Sequence, residues 1–83
     1  MMTLDLPENA AELRALAARI RREADPGRTI ALALLMRDAI SAATVARRED
    51  ERPFLEYAAG YLEGVADATE AAHFAPPGAA RVH

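Results

Sequence analysis

The sequence predicts an all-α fold: a compact antiparallel three-helix bundle of up-down-up topology. Three observations carry this expectation. Proline and glycine are concentrated at Pro7, Asp25-Pro26-Gly27, Pro53 and Pro76-Pro77-Gly78, which leaves three segments of helix length between the breaks. Those segments are dominated by Ala, Leu, Arg and Glu, the residues that lose least on entering a helix. None of them alternates apolar and polar positions as a half-buried strand does. Short connections between long helices favour antiparallel neighbours, with the second helix in the middle. The alternative fold is a hairpin of helices two and three that becomes stable as a dimer, with helix one loosely attached. One domain is expected over residues 1–75, and residues 76–83 form a tail that two adjacent prolines keep from being helical, expected to be flexible.

Helix one is expected over about 8–24, with Pro7 at its first turn and Glu8 and Glu12 near the positive end of its dipole. Leu13, Leu16, Ala17, Ile20 and Ala24 form one narrow apolar stripe. Helix two is expected over about 28–48, starting near the Asp25-Pro26 pair, where Asp caps and Pro fits the first helical position. At about 100° per residue, Leu32, Leu35, Met36, Ala39, Ile40, Ala43 and Ala46 share a broad face, while Ile30, Leu34 and Val45 lie on the nearly opposite side. A helix apolar on two sides is sandwiched between neighbours, and whatever they leave uncovered is a contact surface.

Helix three is expected over about 52–73, opened by Asp50 or Pro53. Phe54, Ala58, Tyr61, Val65, Ala68 and Ala72 repeat at alternating spacings of four and three, flanked by Leu55 and Leu62, which makes a seam for another helix. Gly60 and Gly64 sit mid-helix, where each costs about 1 kcal/mol relative to Ala. Their row, continued by Ala68 and Ala72, allows close backbone approach, either to helix two or to a second chain. Tyr57 and Tyr61 border it, as suits the rim of a contact. Glu56, Glu63, Asp67 and Glu70 fall within an arc of about 60°, an acidic ridge without an intervening base.

Charge and composition exclude several functions. The 83 residues carry a formal net charge of −3, and all ten basic residues are Arg. The basic residues concentrate between residues 14 and 52, and residues 53–75 hold four acids and no base. A recognition helix built from the third segment would be repelled by phosphate, so nucleic-acid binding is disfavoured; its only foothold is Arg14, Arg19, Arg21 and Arg22 on helix one. Cysteine is absent, which removes disulfides, thiolate metal sites and a cysteine nucleophile. Ser41 is the only serine, and no Gly-rich phosphate loop exists, so no enzyme and no cofactor are expected. The longest apolar run, Ile30 to Met36, is far below the roughly 20 residues of a membrane span, and a cytoplasmic location is expected.

The function expected is therefore that of a small non-catalytic helical protein-binding module, an accessory subunit, adaptor or inhibitor of a larger protein, or a homo-oligomer. Its candidate contact residues are Glu56, Tyr57, Gly60, Glu63, Gly64, Asp67 and Glu70, with Ile30, Leu34 and Val45. The alternative is a dimeric metal-binding protein using Glu63, Asp67, Glu70 and His73, because Glu70 and His73 have the Glu-x-x-His spacing of helical di-iron sites. The second alternative is an Arg-dependent nucleic-acid binder.

Overall fold

A computed structural model of the chain, describing residues 6–74, contains three α-helices in the order α1 (Ala10–Arg21), α2 (Pro26–Thr44) and α3 (Arg52–His73). The tail 76–83 lies outside the described residues. Helix α1 begins two residues later than the proline led us to expect, because Asn9 is its cap. The Asn9 side chain accepts from the Glu12 backbone N–H at 2.9 Å, and the Glu12 carboxylate reaches back to accept from the Glu8 N–H at 2.8 Å. One backbone donor of the first turn, Glu12 N–H, and one just before the cap, Glu8 N–H, are thereby satisfied, an arrangement close to a capping box but with the carboxylate reaching the residue before the cap. The same helix ends at Arg21 rather than Ala24, and Arg22 closes it.

Helix α2 starts as the Asp25-Pro26 pair implies: the Asp25 carboxylate accepts from the Gly27 N–H at 3.0 Å, with Pro26 in the first turn. It stops at Thr44, four residues short of the expected end. The last turn there tightens, with Ala46 N–H bonding to Ala43 and Arg47 N–H to Thr44, both three residues back. The Thr44 hydroxyl donates to the Ile40 carbonyl at 2.8 Å, a local bond that competes with helix continuation, and β-branched Val45 follows. The charged connection is held by Arg47–Glu51 at 3.4 Å and Arg48–Asp50 at 3.5 Å, and the Arg52 Nε donates to the Arg47 carbonyl at 3.3 Å. Pro53 lies in the first turn of α3, whose cap is Glu51 rather than Asp50.

The three helices share one core. Helix α2 contributes Thr29, Ala33, Met36 and Ile40, spaced four, three, four; α3 contributes Leu55, Ala58, Leu62, Val65 and Ala66. Close backbone approaches are concentrated between these two helices, far more than between either and α1. Ala33, Ala58 and Ala66 explain this, since small side chains at a helix contact shorten the distance between axes. Helix α1 docks through larger residues, Leu13, Leu16 and Ile20, with Ala17, and so stands further off. It runs alongside α3 in the same direction: Leu6, Pro7 and Glu8 share a cavity with Phe54 and Leu55, while Arg21, Glu23 and Ala24 share one with Ala68, Ala72 and His73. The topology is up-down-up. Buried Thr29 links α1 to α2, its hydroxyl lying 3.4 Å from the Asp25 carbonyl and 3.5 Å from that of Ile20.

The inward line of α2 corrects the expected broad face. Met36 and Ile40 are buried, but Leu35 is 56% exposed and Ala39 and Ala46 face outward. The helix is rotated so that Thr29 and Ala33, absent from that face, point in. Close packing against α3 requires small residues on the line of contact, and the Leu35 side lacks room for a neighbour at that distance. Two kinds of variant test this. Ala33→Leu and Ala58→Leu should each destabilise the chain by about 1–3 kcal/mol through overpacking, whereas Leu35→Ala should change stability by less than about 0.5 kcal/mol. Urea unfolding followed by circular dichroism measures both, and a neutral Ala58→Leu would contradict the close hairpin.

Candidate interaction surface

Taking Leu62 as the centre of the buried side of α3, 100° per residue puts Gly60, Gly64 and Ala71 on the directly opposite, outward side. All three are exposed. A Cβ built on Gly60 or Gly64 meets nothing within 4 Å. The glycine row therefore does not serve the contact with α2, which was one of its two expected uses; Ala33, Ala58 and Ala66 do that work. The open strip is bordered by Tyr57, which is 59% exposed, and Tyr61, which is half-buried against the core. Their rings lie 6.2 Å apart, and Tyr57 is 6.4 Å from the Phe54 ring, so Phe54, Tyr57 and Tyr61 form one continuous row.

The acidic ridge runs along one flank of this strip. Glu56, Glu63, Asp67 and Glu70 are all exposed. The ridge is not wholly free of positive charge, because Arg37 of α2 approaches Glu63 to 3.9 Å. Its principal partner is Asp38, to which Nε and Nη2 donate at 3.0 and 2.8 Å. These hydrogen bonds, with lesser attraction from Glu63 and Asp67, raise the pKa of the guanidinium. Among the described residues Glu56, Asp67 and Glu70 make no ion pair, which leaves most of the ridge uncompensated.

The opposite flank of the strip is where α1 lies. Ala68 and Ala72 border the cavity of about 420 Å³ that Arg21 and Glu23 also line. Arg14 and Arg21, about 20° apart around α1, share one side of that helix, while Arg19 projects from a different side and Arg22 caps the end. The four arginines that offered a foothold for nucleic acid are thus divided between sides of the helix. All are exposed, and none makes an ion pair among the described residues.

The second apolar stripe expected on α2 does not form a single patch. Ile30 and Leu34 are half-buried and packed against the core. Val45 is 80% exposed at the C-terminal cap of α2, about 22 Å along the axis from Ile30. What the sequence did not disclose is an exposed line of Ala31, Leu35, Ala39 and Ala42 on α2. The signal for it was the spacing of Thr29, Ala33, Met36 and Ile40, which competes with the leucine-rich face for the inward position.

The metal alternative calls on two chains, and the geometry of one chain bears only on the ligands that chain would bring. Among the described residues no three of His, Asp and Glu come together to hold an ion. His73 is rotated by about 60° or more from the acids and lines the cavity between α1 and α3 with Arg21, Glu23 and Thr29. Ser41 is exposed midway along α2. No helix is long and apolar enough to cross a membrane, among the described residues.

In comparison with known proteins, no protein family matches the chain, and no curated protein or solved structure matches it significantly. The open space around both glycines leads to a test. Gly60→Ala and Gly64→Ala should each stabilise dilute protein by about 1 kcal/mol, since the added methyl meets no obstacle and the helix loses its glycine penalty. Thermal unfolding at low concentration reports the effect, and a destabilised Gly64→Ala would mean that the site is occupied within the chain.

Proposed function

We propose that the chain is a small non-catalytic helical protein-binding module, an accessory subunit, adaptor or inhibitor, that acts through the outward face of α3. The observation that carries this is the pair of mid-helix glycines with nothing within 4 Å of a built Cβ. Two glycines cost an exposed helix about 2 kcal/mol in total. A face used only for contact with water has no use for that cost. A face that receives another backbone does, because removing the side chains lets the two helices approach closely.

The neighbouring groups fit the same use. Tyr57 offers a large, rigid, amphipathic surface at the edge of the strip, and tyrosine is enriched at protein contacts. The ridge of Glu56, Glu63, Asp67 and Glu70 favours a basic surface opposite it and rejects an acidic one. Among the described residues Glu56, Asp67 and Glu70 make no ion pair, so an approaching arginine or lysine meets available carboxylates.

The test is a pair of reverse-charge substitutions. Glu63→Arg with Asp67→Arg should abolish co-purification of the partner from the native host while leaving the far-ultraviolet circular dichroism spectrum unchanged. Undiminished recovery of the same partner by the variant would remove the ridge from the contact.

A further inference from the structure

The two flanks of the α3 face carry opposite charge, and the structure sets them at matching heights. On one flank stand Glu63, Asp67 and Glu70; on the other, beyond Ala68 and Ala72, stands α1 with Arg21 lining the shared cavity and Arg14 on the same side of the helix. Because α1 runs parallel to α3, with Leu6–Glu8 beside Phe54 and Leu55 and Arg21–Ala24 beside Ala68–His73, Arg14 lies level with about Tyr61 and Arg21 with about Ala68. Arg14 and Arg21 are separated by the same number of residues as Glu63 and Glu70, about 10.5 Å along a helix. The acids and the arginines therefore form two registered rows on either side of an uncharged strip.

We infer that this face binds a second copy of the chain about a two-fold axis parallel to α3. The inference rests on α3's outward face being the binding surface and names the occupant. Symmetry decides the orientation. A two-fold axis parallel to the helices keeps heights the same and sets each protomer's left flank against its partner's right flank, so that each ridge meets the partner's Arg14 and Arg21 at matching levels. An axis perpendicular to the helices, which makes the two α3 helices antiparallel, brings each flank against its own copy, ridge against ridge, and like charges repel. The parallel pairing is closed and self-complementary, as a two-fold interface must be. Gly60 and Gly64 then face their counterparts at the axis, where the missing side chains permit close contact, and Tyr57 borders the contact on both sides. Arginines that have no ion pair among the described residues and carboxylates left without one supply each other's partner.

The experiment uses the full chain. Light scattering over a dilution series at low and high salt should give a dimer whose dissociation constant rises with salt, as exposed charge pairs are screened. Asp67→Arg with Glu70→Arg should weaken the dimer by about tenfold or more, and Arg14→Glu with Arg21→Glu should do the same. All four substitutions together restore the pairing with signs exchanged and should return the dissociation constant to within about threefold of the parent. Neither Asp67 nor Glu70 makes an ion pair among the described residues, so the first variant leaves the fold's own ion pairs in place. Orientation is read by Ala71→Cys in this cysteine-free chain, which should oxidise to a disulfide-linked dimer. Antiparallel helices crossing at Gly64 would hold the two cysteines about 21 Å apart along the axis.

A monomer at every concentration and salt overturns the inference, and so does a four-fold variant that dimerises no better than either pair of substitutions. A dimer whose Ala71→Cys form does not link overturns the parallel arrangement. If the chain is monomeric while Glu63→Arg with Asp67→Arg still abolishes recovery of a different protein, the binding face stands and its occupant is not a second copy. If the chain is monomeric and recovery is unaffected, both fall.

Discussion

Close approach of α2 and α3 is the constraint from which the remaining features follow. It is made possible by Ala33, Ala58 and Ala66, three small residues within a core that otherwise uses Leu, Ile, Met and Val. Bringing two helices together along most of their length buries apolar surface efficiently in a chain too short for a large core. It also fixes the rotation of both helices. Once the Thr29–Ala33–Met36–Ile40 line faces α3, Leu35 and its neighbouring alanines turn outward. Once Leu55, Ala58, Leu62 and Ala66 face inward, the glycines turn outward and the acidic ridge stands to one side. Helix α1 fills the remaining groove with its larger leucines and isoleucine.

Much of this was legible in the residues. Proline and glycine divided the chain correctly, the Asp25-Pro26 pair marked the start of α2, and the apolar stripe of α1 is buried at Leu13, Leu16, Ala17 and Ile20, while Ala24 is exposed beyond the helix end. The start of α1 is set by Asn9 rather than by Pro7, and the three-residue spacing of Asn9 and Glu12 is the sequence signal of that cap. The rotation of α2 was the principal failure. Leucine has the larger hydrophobic transfer energy, so a face containing Leu32 and Leu35 outweighs one containing Ala33 and Thr29 when only burial is considered. The deciding quantity is helix separation, a property of the pair. Periodicity within a single helix cannot report it. The same misplacement affected the glycines: a small-residue row was correctly associated with close packing, but the row that packs within the chain is the alanine one.

The charges show a comparable division between what the chain uses for itself and what it leaves available. The α2–α3 connection spends its alternating signs internally, through Arg47 with Glu51 and Arg48 with Asp50. Arg37 is committed to Asp38 and reaches Glu63 only at 3.9 Å. Among the described residues the arginines of α1 and most of the carboxylates of α3 are not committed in this way. Exposed pairs such as these contribute little to stability, and their distribution matters more for which surfaces attract one another than for holding the fold together.

The unequal attachment of the helices bears on how the chain opens and closes. The α2–α3 contact joins segments that are adjacent in sequence, so it forms with a short loop to close and little entropy to overcome. Helix α1 adds few close backbone approaches and is retained by four side chains and the Thr29 bridge near its end. Native proteins open in cooperative units of unequal free energy. Here α1 is the natural low-energy unit, with amide protons that exchange through partial opening, while those in the middle of α2 and α3 exchange only when the whole molecule unfolds.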